Sequence, residues 1–544
     1  MIATTAHIAI LGWLFIARTC RRKMGADRRV RPAVRALALV SSLVCTACGS
    51  SGESISDASA TFERGGCPVE QAAVLATLNA TCGTLTAPQD RSHRSTEKVQ
   101  LPVTIIPSMT QPAQSDPIVY MAGGPGANAI AQAPDLVKAG LNARRDLIIM
   151  NQRGVAYTLP NLACPEVDDA MASAVSLPHD SPQHKALHVA ATKACHDRLV
   201  AQGIELRNFN TIESEADLVD LRKALKIGQW NLYGLSYGTD LALSLIRDHP
   251  EGIRSVIIDA VLPPSVVSLG WTWTNANEAV NNIFRTCASQ PSCAAKYGDL
   301  ASQFTTQVQK LEANPLTMTV TVPGTETTTP VVLDGGAILN WIGSLPDPVV
   351  PIPSVPAAIH ELVIGHPQKI AEARAVAASP VGRGMVGYGL MYSVICSEWV
   401  PFEPASGILS QGRSAFPAYP ETVLSQPPGL PFMTEDCAVW NVPRASSSVR
   451  QVTNSSIPTL VLNGSFDGKS APQWGIYAAS TLSNATVITV PGSGHGALFQ
   501  VQLPTDTPAR TCIQNIVASF LSNPVAPDTR CGAVLTDVPF DTSH

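Results

Sequence analysis

This 544-residue chain lacks several sequence features, and their absence excludes several classes of protein. Only 15% of its residues are charged and the formal net charge is -5, so it has no basic excess of the kind that binds nucleic acid. It has no internal repeat, no glycine-rich nucleotide-binding loop and no cysteine pair with the metal-ligand spacing to histidines. The 45% hydrophobic content is instead typical of a folded globular protein.

The N-terminus predicts export. Four arginines precede an apolar stretch over residues 36–47, and Cys48 then opens a small, polar run. A basic region, a short apolar segment and small residues are typical of a secretory signal. The end of the stretch is similar to a bacterial lipobox, although Cys45 stands where that motif prefers Leu, Val or Ile. We predict lipidation of Cys48 in a cell envelope; the alternatives are plain cleavage near Ala47, or an uncleaved anchor. A second apolar stretch upstream suggests that translation begins at Met24.

Ten cysteines follow this leader, and they are consistent with export. An even number in an oxidising compartment indicates disulfides, although sequence alone does not fix their connectivity. Neighbours in the chain are the natural partners: Cys67–Cys82, Cys164–Cys195, Cys287–Cys293, Cys396–Cys437 and Cys512–Cys531. The alternative is buried free thiols.

Short apolar runs alternate with helical patterns in two parts of the chain. Strands are predicted at residues 101–106, 117–121, 146–150, 230–233, 256–258, 459–462 and 486–490, and helices at 214–225, 239–247, 474–482 and 511–521. Such alternation predicts an α/β fold, with a mostly parallel sheet and helices on both faces. The predicted units are a leader (1–48), a tether (49–66), a core in two parts (67–264 and 457–535), an inserted and largely helical lid (265–456), and a tail (536–544).

The motif most directly linked to chemistry is Gly-Leu-Ser-Tyr-Gly at residues 234–238, between a predicted strand and a predicted helix. It predicts a nucleophile elbow, in which Ser236 is exposed on a strained turn and glycines leave room on either side. A glycine-rich loop at residues 123–126 follows another strand, where this kind of site places an oxyanion donor. We predict the backbone N–H groups of Gly124 and Tyr237 as the two donors.

An acid and a base follow in the order that such a site requires. Asp467 comes shortly after the strand at 459–462, and His495 follows the strand at 486–490. The order Ser, Asp, His matches the α/β-hydrolases, so we predict Ser236, Asp467 and His495 as a catalytic triad. Asp259 is the alternative acid, with a structural role as its competing interpretation.

These motifs together resemble those of the tripeptidyl and prolyl aminopeptidase family, α/β-hydrolase-fold serine peptidases, in its secreted bacterial branch. The likeness runs from the Cys-Gly-Thr-Leu segment at residue 82, through Asn-Gln-Arg-Gly at 151–154, to the His495 segment. Two departures are Asn151, where the family usually has Asp, and Ala122, where some prolyl members have His. The first departure predicts an altered buried charge pairing with Arg153.

The resemblance implies a hydrolase that removes short peptides or single residues from free N-termini, without a cofactor. It also implies that Glu398 binds the substrate ammonium, the alternative being a glutamate beside a disulfide. The expected partners are peptides, with membrane contact only through the lipid anchor. Two other functions stay open: a carboxylesterase or lipase on the same fold, and a non-catalytic surface-anchored binding module.

Overall fold

The computed structural model describes residues 60–92, 96–266, 268–498 and 508–543. The predicted leader, the predicted lipidation of Cys48 and residues 49–59 of the predicted tether lie outside these ranges. Within them, no helix combines the length and the apolar character needed to cross a bilayer.

A large sheet forms the centre of the described fold. Its strands in chain order are β1 (Thr61–Gly65), β2 (Thr81–Pro88), β3 (Lys98–Ile106), β4 (Gln114–Met121), β5 (Arg145–Met150), β6 (Trp230–Leu235) and β7 (Ile253–Asp259), with β10 (Thr459–Gly464) and β11 (Ala485–Val490); a separate antiparallel pair is β8 (Leu316–Thr321) and β9 (Thr328–Leu333). The spatial order is β1-β2-β3-β5-β4-β6-β7-β10-β11. The six strands from β5 to β11 in this order are parallel, whereas β1, β2 and β3 pair antiparallel.

The parallel strands are apolar because both of their faces are covered. Every residue of β7 except Arg254 is buried, and all six residues of β10 are buried. Such continuous hydrophobic runs are typical of parallel strands between two helical layers. All seven strands predicted from sequence are present. The edge strand β1 is not among them, because its exposed, polar residues resemble a tether; residues 61–65 are therefore strand rather than linker.

Helices pack on both sides of the sheet and above its carboxyl edge. The helices before β8 are α1 (Val69–Thr77), α2 (Ala133–Lys138), α3 (Pro165–Ala174), α4 (Pro182–Ala201), α5 (Thr211–Ala224), α6 (Tyr237–Asp248), α7 (Trp271–Ser289), α8 (Pro291–Tyr297) and α9 (Leu300–Ala313). Those after β9 are α10 (Gly335–Gly343), α11 (Val355–Val363), α12 (Gln368–Ala375), α13 (Tyr388–Val394), α14 (Ala405–Ala415), α15 (Glu421–Leu424), α16 (Met433–Trp440), α17 (Pro472–Ala479) and α18 (Pro508–Ser522). The α5 helix is capped by Asn210, which accepts a hydrogen bond from the Glu213 N–H, so the helix begins three residues before the predicted start at residue 214.

The chain between β7 and β10, which we call the insert, holds ten helices and the β8–β9 pair in its described part. The α3–α4 segment packs against it, although the sequence pattern assigns that segment to the core. Thr192 on α4 donates to the Tyr392 hydroxyl at 3.2 Å, and His188 Nδ1 lies 2.8 Å from Asp436 Oδ2. The cover over the sheet edge is therefore built from two separate parts of the chain.

Five disulfides hold these parts, and their connectivity is the one predicted from chain neighbours. They join Cys67–Cys82, Cys164–Cys195, Cys287–Cys293, Cys396–Cys437 and Cys512–Cys531. Two of them lie within the insert and one connects α3 with α4, so the cover is cross-linked more densely than the sheet.

Candidate active site

Ser236 lies on a sharp turn between β6 and α6. Its φ of 57° and ψ of -125° fall in a backbone region that non-glycine residues rarely adopt. A Cβ at Gly234 would lie 2.3 Å from the Gly238 carbonyl oxygen, and a Cβ at Gly238 would lie 2.1 Å from that of Met121. Both glycines are therefore required for the chain to turn here, as a nucleophile elbow demands.

The glycine loop after β4 packs directly on this turn. A Cβ at Gly123 would lie 2.7 Å from the Cβ of Ser236, so a side chain has no room at this position. Gly124 has a φ of 108° and lines the same cavity as Ser236. Tyr237 is the first residue of α6, where the helix N-terminus favours negative charge. The two residues predicted as oxyanion donors thus come from different elements and lie on either side of the serine.

Asp467 and His495 form a close pair at the carboxyl edge of the sheet. His495 Nδ1 lies 2.9 Å from Asp467 Oδ2 and 3.0 Å from its Oδ1. Asp467 is fully buried and also accepts the Ser470 N–H at 2.9 Å and the Ser470 hydroxyl at 2.8 Å. Burial alone would raise the pKa of Asp467, but the charge of His495 and these hydrogen bonds outweigh burial, and the pKa lies below its usual value. Asp467 is thus held in its charged form beside the imidazole.

Asp259, the alternative acid, has a different set of partners. Its carboxylate accepts the N–H groups of Ala497 and Leu498 at 2.7 and 2.9 Å, and the Tyr233 hydroxyl at 3.0 Å. Burial raises its pKa to about 6, although these hydrogen bonds act in the opposite direction. Asp259 therefore anchors the backbone that follows His495, while the His495 ring itself lies against Asp467.

Ser236 and His495 open onto one cavity of about 460 Å³. The loops at the sheet edge contribute Gly124, Ser236, Lys469 and His495, which we call the sheet wall. The insert contributes Tyr388, Met391, Tyr392, Trp399, Leu430 and Met433, among others, which we call the insert wall. Met171 on α3 and His188 on α4 also line the cavity. A mostly apolar, concave site with a few convergent polar groups is typical of ligand-binding cavities of this volume.

Glu398, predicted to bind the substrate ammonium, lies behind this cavity rather than on its wall. The residue is buried in the short π-helix Ile395–Trp399, and its carboxylate accepts the Thr211 N–H at 2.8 Å and the Thr211 hydroxyl at 2.5 Å. The Thr211 hydroxyl is also 2.8 Å from the Tyr237 hydroxyl. Burial raises the pKa of Glu398 to about 7. This position does not support ammonium binding: the carboxylate is engaged inside the protein, and it is Trp399 that lines the cavity.

The predicted link between Asn151 and Arg153 is absent in the structure. Asn151 accepts the Ile130 N–H at 3.1 Å and donates to the Ala156 carbonyl at 2.8 Å. Arg153 is fully buried and makes two hydrogen bonds of 2.8 Å to Asp217 on α5. The substitution at position 151 therefore leaves the charge pairing of Arg153 untouched, because that pairing involves another element.

Two residues beside the acid were not predicted. The Ser470 hydroxyl lies 3.2 Å from His495 Nδ1 as well as 2.8 Å from Asp467, and the side chain of Lys469 lines the cavity. Both follow Asp467 within three positions. That short spacing is the only signal in the sequence, because a loop that presents an acid at the sheet edge also presents its neighbours there.

Two family models match the chain, the α/β hydrolase fold over residues 116–285 and the TAP-like protein model over residues 430–531. The chain has the α/β-hydrolase fold and is TAP-like over residues 430–531. The predicted fold and the family resemblance are thereby confirmed.

Curated relatives of this TAP-like hydrolase are similar at low identity. A protein named putative hydrolase YuaR from Escherichia coli is 25% identical over 43% of this chain and 48% of its own length. A protein named serine protease Hip1 from Mycobacterium tuberculosis is 21% identical over 82% of this chain and 86% of its own length. A protein named tripeptidyl aminopeptidase from Streptomyces coelicolor is 24% identical over 36% of this chain and 37% of its own length. The chain therefore matches about half of the first relative, most of the second and a little over a third of the third.

Proposed function

We propose that this TAP-like hydrolase is a serine peptidase that works through an acyl-enzyme. His495 takes the proton of Ser236, whose hydroxyl oxygen attacks the carbonyl carbon of the scissile bond. Asp467 orients the imidazole and stabilises its charged form, and the N–H groups of Gly124 and Tyr237 stabilise the oxyanion. His495 then donates the proton to the leaving amine, and water hydrolyses the acyl-enzyme. The observation that carries this proposal is the His495–Asp467 contact of 2.9 Å at the cavity that Ser236 lines.

We infer further that the substrates are short peptides cleaved near a free N-terminus. The relatives named serine protease and tripeptidyl aminopeptidase support peptide substrates. The cavity supports an exopeptidase, because a volume of about 460 Å³ that aromatic side chains of the insert help to line has room for only a few residues beside Ser236.

One observation favours a carboxylesterase as the second candidate. In the part of the chain that the structure describes, no carboxylate lines the cavity, so none is placed to bind an ammonium there. A hydrolase of uncharged esters needs no such group, and the chemistry at Ser236 is the same for both substrate classes.

The deciding experiment compares matched substrates on the purified protein. A fluorophosphonate probe first tests whether Ser236 is reactive, with Ser236→Ala as the control. A peptide library is then digested with free and with acetylated N-termini, and the cleavage positions are measured by mass spectrometry. Cleavage of the free peptides alone is the expected result. Equal cleavage of acetylated peptides would contradict the N-terminal specificity, and ester turnover with no peptide cleavage would favour the esterase.

We also propose that the protein is exported and anchored in a bacterial cell envelope by a lipid on Cys48. The five disulfides support an oxidising compartment. Metabolic labelling with a fatty-acid analogue is expected to mark the protein but not its Cys48→Ser variant. Release of unlabelled mature protein into the medium would instead indicate plain cleavage.

A further inference from the structure

The loop that carries Asp467 also fixes the backbone of Lys469. The Lys469 N–H donates to Asp467 Oδ1 at 2.9 Å, and its carbonyl accepts a hydrogen bond from Asn275 Nδ2 at 3.0 Å. Gly468 is pressed against the insert, since a Cβ there would lie 2.5 Å from the Gly343 carbonyl oxygen. The side chain of Lys469 therefore starts from a backbone that is held on three sides, as in a preorganised binding site.

The Lys469 side chain reaches the catalytic cavity that also contains Ser236 and His495. Lys469 is exposed, so a ligand can reach it. The protein atoms around it lower the pKa of its ammonium despite the nearby charges of Asp467 and Asp347.

The two acids near Lys469 are engaged elsewhere. Asp467 is the partner of His495, and Asp347 Oδ1 accepts the N–H groups of Val349 and Val350, both at 2.8 Å. Among the residues that the structure describes, Lys469 has no ion-pair partner. Its charge is therefore not neutralised by the protein around it.

The rest of the cavity offers no compensating charge. Its described lining contains no Asp or Glu, and apart from two tyrosines the other titratable groups are His188 and His495. An anion bound beside this ammonium forms a charge-assisted hydrogen bond, which is stronger than one between neutral groups. The carboxylate is the anion that peptide substrates carry.

We propose that Lys469 binds a carboxylate of the substrate within the catalytic cavity and so determines specificity, an inference that rests on the proposed function. The carboxylate has two possible sources, an acidic side chain on the acyl part or the free C-terminus of a short leaving part. A neutral substrate of the same shape cannot form this charge-assisted hydrogen bond, so its transition state is stabilised less.

The test uses the full-length protein with Lys469→Met, which removes the charge, and Lys469→Arg, which keeps it. Lys369→Met is the matched control, because the Lys369 side chain is 65% exposed on the surface and pairs with Glu372. One arm measures kcat/KM for tripeptide coumarin amides with Glu or Gln at each position. The other compares short peptides that end in a free carboxylate or in an amide. Hydrolysis of p-nitrophenyl acetate and fluorophosphonate labelling report the triad independently.

The wild type, Lys469→Arg and Lys369→Met are expected to prefer the carboxylate substrate about tenfold to hundredfold in one arm. Lys469→Met is expected to lose this preference, which is measured as the ratio of kcat/KM for the two substrates in the same protein, so that any general change in activity cancels. The arm that shows the preference identifies the source of the carboxylate. The proposal is overturned if the wild type has no preference, or if Lys469→Met retains it, while labelling and ester turnover are intact. A wild type that neither labels nor turns over any ester would overturn the proposed function, and this inference with it.

Discussion

The sheet wall and the insert wall line one cavity, but they are built in different ways. Groups on the sheet wall follow the ends of parallel strands, and backbone hydrogen bonds fix them there, as with Asp467 and the loop after His495. The insert wall presents large side chains from helices, among them Tyr392 and Trp399. Under the proposed function, the sheet supplies the chemistry and the insert supplies the shape that selects a substrate.

The largest effect is expected for Ser236→Ala, which removes the proposed nucleophile from the sheet wall. We predict a fall in kcat of roughly 10⁴-fold or more, with an unchanged fold, because alanine retains the backbone of the turn. Steady-state kinetics and circular dichroism measure the two quantities. Turnover retained at the wild-type level would contradict the proposal that Ser236 on the sheet wall is the nucleophile.

Asp467→Asn and Asp259→Asn distinguish the two buried acids that lie behind the sheet wall. We predict a loss of about 10³-fold or more in kcat for Asp467→Asn, because the amide does not stabilise a charged imidazole. Asp259→Asn is expected to cost at most about a hundredfold, since it shifts only the backbone behind His495. A larger loss in the second variant than in the first, measured with one ester substrate, would reverse their roles.

The disulfides of the insert provide a comparison of stability. Cys396 and Cys437 are 41 residues apart in sequence, whereas Cys287 and Cys293 are 6 apart. Because the entropy lost by the unfolded chain grows with loop length, replacing the first pair by serines is expected to lower the free energy of unfolding by about 4 kcal/mol and replacing the second by about 2 kcal/mol. Denaturant titration measures both, and equal losses would show that local packing dominates.

Glu398 links the insert to the sheet wall and predicts a pH dependence of stability. Its pKa rises from an ordinary 4.5 to about 7 in the folded protein, so the folded state binds more protons between these values. The contribution of Glu398 to the free energy of unfolding is fully present below about pH 4.5 and is lost as the pH rises through about 7. Glu398→Gln is expected to remove up to roughly 3 kcal/mol of that loss.

Unfolding free energies at pH 5 and pH 8 measure the effect of Glu398→Gln. Asp240 and Glu215 are also buried acids with a raised pKa, chiefly through burial, and they stay in both proteins. A variant whose stability falls as steeply as that of the wild type would assign the slope to these two residues and Asp259 rather than to Glu398.

The smallest effect is expected for the insert wall. Trp399→Leu shortens a large side chain that lines the cavity, so kcat/KM for bulky peptides is expected to change by about tenfold, mainly through KM. Hydrolysis of p-nitrophenyl acetate, which is too small to reach this wall, serves as the control. A comparable fall in turnover of that ester would show that the insert also takes part in the chemistry.

The same contrast explains what could be predicted from the sequence. Parallel strands produce apolar runs, and the topology places particular loops at one edge of the sheet, so the position of residues 236, 467 and 495 at that edge could be predicted. The five disulfides could be paired because each joins neighbouring cysteines. The strand β1 could not be predicted, because an edge strand that pairs on one side only needs no apolar pattern.

Side-chain direction in the insert could not be predicted from the family motif. The motif places Glu398 beside the cavity, but the π-helical turn directs Trp399 into it and directs Glu398 to Thr211. Lys469 and Ser470 could not be predicted for a different reason, because neither belongs to a sequence motif. Only the fold of the loop after Asp467 brings them to the site.

The chain after residue 535, predicted as a tail, is docked rather than free. Phe540 is buried and stacks on Phe466 with ring centroids 6.0 Å apart, and its N–H donates to Gln290 on the insert. Because Phe466 immediately precedes Asp467, these last residues act as a strap behind the acid loop. For protein engineering, a purification tag fused at this end needs a spacer. A version shortened to residue 535 would lose these contacts and is expected to lose activity before it loses its fold.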